Sequence, residues 1–139
     1  MMRYTNILIA AAALAACSSG GYGPTGSGNP SPSAQNVSVG VGETGAVPGT
    51  GVTIAFHAVT EESRCPLNAV CVWEGNGRVA LTLSSGYGAT KNVELNTTTE
   101  PRETVFSGLR IALSALNPHP TGEPTDPDDY VATFEVDQD

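Results

Sequence analysis

Two histidines, 14 carboxylates and three cysteines are the groups in this 139-residue chain from which chemistry could be built. Acyl transfer needs a nucleophile, a base and a group that orients the base. His57 falls in the middle of an alternating apolar segment, and His119 stands between two prolines. The chain has no G-x-S-x-G turn, the sharp strand-to-helix corner that exposes a serine nucleophile. His57 lies on the minority face of its segment and reads as a surface or edge residue. The acids are scattered or gathered in loops, and no spacing sets two of them across a cleft as glycoside cleavage requires. The run Glu123-Pro124-Thr125-Asp126-Pro127-Asp128-Asp129 offers oxygens that could hold Ca²⁺ weakly, with Asp126, Asp128 and Asp129 as ligands. It lacks the Gly and the distal Glu of an EF-hand loop, and a solvated turn starting the next strand is the preferred reading. No catalytic residue and no cofactor is assigned, and the chain is read as a non-enzyme. Phosphate-loop, dinucleotide and basic-aromatic patterns are absent. Six basic residues against 14 acidic ones give a net charge of −8, which argues against nucleic acid and against electrostatic docking to anionic lipid.

Elements able to hold such groups are legible as period-2 alternation. Val52, Ile54, Phe56 and Ala58 alternate with Thr53, Ala55, His57 and Val59. Val79, Leu81 and Leu83 form a second such set, Leu109, Ile111 and Leu113 a third, and Tyr130, Ala132, Phe134 and Val136 a fourth. Each is a strand with one face on a core. Shorter candidates are Val37–Val41, Val70–Trp73, Val93–Leu95 and Thr104–Phe106. Gly, Asn and Pro gather between them, at 47–49, 75–77, 84–88 and 117–129. No segment beyond the first 16 residues sustains a 3.6-residue period. Seven or eight short strands without crossover helices predict an all-β antiparallel sandwich, immunoglobulin-like in size, over residues 37–139. Strand order does not follow from the pattern.

The first residues have a different character. Arg3 precedes an uncharged run, Ile7 to Ala16, about half the ~20 residues that a membrane span needs. A basic start, a short apolar run and small residues at its end form a secretory signal pattern over 1–16. The end of that run, Leu14-Ala15-Ala16-Cys17, resembles the lipobox of bacterial lipoproteins. The resemblance implies diacylglycerol on the Cys17 sulfur, cleavage before Cys17 and acylation, palmitate among the candidates, of the new N-terminus. More than one chain would be needed, because a single myristoyl chain anchors only marginally. Ser18, in place of an Asp, resembles lipoproteins sorted to the outer membrane. The segment 18–36 is rich in Gly, Ser and Pro and uncharged, so it reads as a disordered tether with an end-to-end distance of about 25 Å. Loss of Arg3 with the signal would bring the net charge to −9. With Cys17 lipidated in an exported, oxidising setting, Cys65 and Cys71 become a default disulfide. The chain-entropy model values so short a loop at about 2–2.5 kcal/mol. A free-thiol pair or half of a metal site is the alternative.

The densest stretch is Glu62-Ser63-Arg64-Cys65-Pro66-Leu67-Asn68-Ala69-Val70-Cys71-Val72-Trp73-Glu74-Gly75. It resembles a D-S-R-C-P-x4-C-x-W-x-G signature that recurs in small bacterial secreted and lipid-anchored domains, with Glu62 standing where the signature has Asp. The tail, Asn117-Pro118-His119-Pro120 followed by an acidic loop and Tyr130–Val136, looks like the end of the same family. The resemblance spans about 37–137; it implies a domain type and no activity. Two readings of the motif are open. In the first it is a rigid core corner, with the disulfide closing an excursion, Trp73 packed beside it and Arg64 paired with Glu61, Glu62 or Glu74. In the second it is a recognition loop anchored by Arg64 and Trp73, with His119 in the neighbouring loop. Burial of Trp73 separates them. The resulting expectation is a lipid-anchored envelope protein, on the outer membrane, acting as a binding or structural module for an envelope partner. An inhibitor of secreted proteases is the alternative, and a hydrolase a distant third.

Overall fold

The inward residues Val52, Ile54 and Phe56 open the longest strand, and every other strand supplies apolar side chains to the same interior. The computed structural model describes residues 33–139; the expected signal segment, Cys17 and nearly all of the expected tether lie outside the described residues. Eight strands follow in order: β1 (Gln35–Gly40), β2 (Thr44–Val47), β3 (Val52–Glu62), β4 (Gly77–Ser84), β5 (Thr90–Asn96), β6 (Glu103–Phe106), β7 (Leu109–Asn117) and β8 (Val131–Gln138). A single 3₁₀ turn, Pro127–Asp129, precedes β8. The strands form two antiparallel four-stranded sheets, ordered β1-β8-β7-β6 and β2-β3-β4-β5. The chain changes sheet between β1 and β2 and again between β5 and β6. The all-β sandwich with a stapled corner therefore stands as expected.

The core lies between the sheets. Ile54, Phe56, Leu81, Leu83 and Leu95 meet Val39, Ile111, Ala132 and Phe134, all at most 2% exposed. Outward faces carry Thr, Ser and charged side chains, as alternation demands. Two of the four edge strands are short. β2 and β6 have four residues each, and Lys91 on β5 donates to Thr104 Oγ1 and the Val105 carbonyl on β6, closing one flank.

Three details differ from the alternation pattern. β2 was not expected, because Thr44-Gly45-Ala46-Val47 carries little apolar bulk. Gly45 is there for close approach: a Cβ would come within 2.6 Å of Val39 Cγ2 where β2 passes over β1. In β3 the register shifts after Phe56 and again after Val59. These bulges turn Ala58 outward and pack Val59 against the core, the reverse of strict alternation. β7 has the same device between Leu113 and Ala115, which passes the buried face from Leu113 to Leu116. The third difference, at Val70–Trp73, belongs to the site.

Register places the loops at two poles. The first residue of β1 lies beside the β2–β3 turn, where Gln35 Nε2 donates to the Pro48 carbonyl. The β4–β5 turn sits at that pole too, with Gly86 against Gly51. At the opposite pole β3 pairs with β4 through Glu62↔Gly77, and β7 with β8 through Asn117↔Val131. The 11 residues of β3 put about 35 Å between the poles.

Candidate functional site

The distal pole is built by two loops, 63–76 and 118–130. Cys65 and Cys71 are joined by a disulfide with a Cα–Cα separation of 5.9 Å. The β3–β4 pairing continues irregularly into the corner, with Ser63 N–H donating to Asn76 O (2.8 Å) and Cys65 N–H to Glu74 O (3.0 Å). Between Cys65 and Glu74 the chain leaves the sheet. Val70–Trp73 is therefore not a strand. The disulfide draws residues 65–71 into a closed loop too tight for those residues to reach a neighbouring strand.

Arg64 is the structural key. It is 8% exposed. Its Nε donates to Glu62 Oε1 (2.9 Å) and its Nη2 to Glu62 Oε2 (2.6 Å), a fork of two parallel charge-assisted bonds. Its remaining donors reach across to the other loop, Nη1 to the Leu116 carbonyl (2.6 Å) and Nη2 to that of Pro118 (3.0 Å). The expected pairing thus resolves to Glu62, and the guanidinium faces inward rather than toward a partner. His119 has a similar part: its Nε2–H donates to the Cys65 carbonyl at 2.8 Å. Leu67 N–H donates to Pro120 O. Arg64 and His119 are braces between the loops.

Trp73 is the opposite case. The core-corner reading expects it packed beside the disulfide, yet it is 81% exposed. Leu67, Val70 and Val72, in the same loop, are 72%, 103% and 89% exposed. Four large apolar side chains of the 63–76 loop, Leu67 and Val70 within the disulfide ring and Val72 and Trp73 just after it, are turned to solvent. Single exposed apolar residues are ordinary, whereas four in one short loop are more than a monomer's surface usually carries. Sequence reasoning singled out Trp73 alone. The signal available for the others was the short Cys–Cys spacing, which denies the loop any core to pack into.

Beneath the corner lies a polar network that sequence did not reveal. Asn76 and Asn96 are buried, and Asn76 Nδ2 donates to Asn96 Oδ1 at 2.8 Å. Asn96 Nδ2 donates to the Pro101 carbonyl (3.0 Å), and Arg78 joins through Asn96 Oδ1 and Glu61. No buried side-chain polar atom lacks a partner among the described residues. Beside it a cleft of about 270 Å³ is lined by Arg64, Glu74, Thr97, Thr98, Asn117 and His119, among others.

Burial pushes the Glu62 carboxyl up, but hydrogen bonds and charge from Arg64 outweigh it, and Tyr130 adds a further hydrogen bond. The net effect holds Glu62 below its ordinary value of 4.5. A carboxyl depressed in the folded state stabilises fully above its unfolded pKa, and that contribution is lost as pH falls through the folded value. Acid titration of unfolding stability should show a decline beginning near pH 5 that is shallower in Glu62→Gln. Equal slopes in the two proteins would remove Glu62 from the acid response.

The other sequence candidates are placed elsewhere. His57 is exposed on the outer face of β3, the extra residue of its bulge, with Nε2 2.7 Å from Thr82 Oγ1. Thr82 in turn donates to Asn92 Oδ1 at 2.7 Å. His57, Thr82 and Asn92 thus form a hydrogen-bonded chain across the outer faces of β3, β4 and β5. Asp126 caps the 3₁₀ turn, its Oδ1 accepting from Asp128 N–H at 3.0 Å. Asp126, Asp128 and Asp129 are not gathered around a point; among the described residues no three His, Cys, Asp or Glu side chains form a metal-binding group. On the outer face of β7, Arg110 is bound by Asp137 and Glu103, with Glu135 nearby.

Comparisons of the chain with protein-family models, with curated proteins and with solved structures find no match.

Proposed function

We propose that this chain is a lipid-anchored envelope protein whose sandwich domain is a non-enzymatic binding module, with the disulfide-closed corner as its contact surface. The observation that carries the binding role is the exposure of Trp73, Leu67, Val70 and Val72 on a braced loop. A rigid aromatic anchor loses little entropy on binding and is a frequent hot spot. The anchor reading draws on Leu14-Ala15-Ala16-Cys17, on the uncharged tether and on the Cys65–Cys71 disulfide, which suits an oxidising compartment. It carries the resemblance to the small lipid-anchored domains with it, and Ser18 favours the outer membrane.

Mass spectrometry of membrane-extracted protein should show an N-terminal Cys17 bearing acyl chains, and Cys17→Ala should move the protein to the soluble fraction. Retention of Met1, or an unmodified Cys17, defeats the anchor. The protease-inhibitor reading draws on the same disulfide-braced exposed loop. It fails if secreted serine and metalloproteases keep full activity at excess protein.

A further inference from the structure

We infer that the corner docks an apolar pocket rimmed by Lys and Arg on a partner protein, from the pole of the sandwich opposite the one where the N-terminal segment attaches. This rests on the binding-module reading and names the partner's chemistry. Two independent observations carry it.

The first is charge. The loops 63–76 and 117–130 that frame the four exposed apolar side chains contain Glu74, Glu123, Asp126, Asp128 and Asp129, all exposed. Their only Arg or Lys is Arg64, which is buried and spent on Glu62. An apolar knob whose loops carry exposed carboxylates and no free cation is complementary to an apolar pocket rimmed by cations, and mismatched to an anionic bilayer or to a second copy of itself. Cations at the partner's rim would neutralise those carboxylates as the knob is desolvated. The fit is therefore specific in sign as well as shape.

The second is polarity. The described residues begin at Ser33, two positions before Gln35, at the pole that holds the Pro48 and Gly86 turns. The corner sits at the other pole, about 35 Å along β3. In a chain held through its N-terminus, the fully exposed Tyr87 lies at the pole nearer the attachment and Trp73 at the pole farther from it along the sandwich. The sandwich thereby separates the knob from the attachment pole by the length of β3.

The test uses the full chain in the organism that produces it. A photoreactive benzoylphenylalanine replaces Trp73 in one strain and Tyr87 in another, and adducts are identified by mass spectrometry. The expected result is an adduct from position 73 to one protein, mapped to apolar residues flanked by Lys or Arg, and absent from position 87. With that protein purified, Trp73→Ala should raise Kd at least tenfold with an unchanged melting temperature. Raising salt from 50 to 300 mM should weaken binding several-fold. Adducts from position 73 to lipid or to another copy overturn the inference. So does an adduct to a neutral or acidic protein surface, which would leave the binding-module reading standing. No protein adduct at all defeats both. The Cys17 mass, read on the same samples, judges the anchor separately.

Discussion

Replacing Arg64 with alanine is expected to lower the unfolding free energy by about 2–4 kcal/mol, the range for removing one partner of a buried ion pair, reduced because water reaches Glu62. Three groups lose their partner at once. Glu62, with 24% of its side chain accessible, keeps a charge with no cation beside it. The Leu116 and Pro118 carbonyls lose the guanidinium that joined the two distal loops. The effect therefore exceeds that of an ordinary surface pair, worth about 0–1 kcal/mol. Arg64→Lys keeps the charge but cannot make the side-on fork and should recover only part of the loss. Glu62→Gln should cost less than Arg64→Ala, since an amide still accepts one hydrogen bond. In the Glu62→Gln background the further cost of Arg64→Ala should shrink, and that coupling is measurable by a double-mutant cycle in urea. Independent, additive effects would mean that the two side chains do not act as a pair.

Gly75→Ala should be at least as damaging, by about 3 kcal/mol or more, from left-handed backbone and overpacking together. Gly75 has φ +74, and an added Cβ would lie 1.8 Å from the Ser63 carbonyl oxygen and 2.9 Å from Arg64 Cα. Neither neighbour can retreat. Ser63 is held by its bond to Asn76 and Cys65 by its bond to Glu74, on either side of the contact. Relief would require unzipping the base of the corner and with it the Arg64 seat. At about 4–8 °C per kcal/mol for a domain of this size, the melting temperature should fall by more than 10 °C. A drop under 3 °C would show that the two strands do not approach so closely. Trp73→Ala is the contrast: with 81% exposure its effect on stability should stay within about 0.5 kcal/mol.

Alternation made the sandwich legible because four strands carry uninterrupted inward sets such as Leu109, Ile111 and Leu113. It failed where one extra residue changed the phase. His57 and Ser114 are inserted outward, and nothing in their types announces a bulge. β2 escaped because its Gly45 is dictated by contact with β1, a tertiary fact with no periodic trace. At the corner, residue types were legible and orientations were not. Arg64 and Trp73 both read as candidate anchors, yet one turned inward to satisfy two carbonyls and a carboxylate. The other stands outside the sheet, two residues past the disulfide, and is turned to solvent. The Asn76–Asn96 pair was invisible because its members specify each other across 20 residues of chain, with Arg78 reaching Asn96 across 18.

The short edges of the sandwich also bear on how copies behave when crowded together. A chain confined to a surface meets its neighbours at concentrations far above those in free solution, and exposed strand edges are where such meetings become aggregation. Here β2 and β6 offer only four residues each, and Lys91 bridges the flank between β5 and β6. At those two edges a neighbouring copy finds little unpaired backbone to extend, which leaves β1 and β5 as the edges where crowding would act.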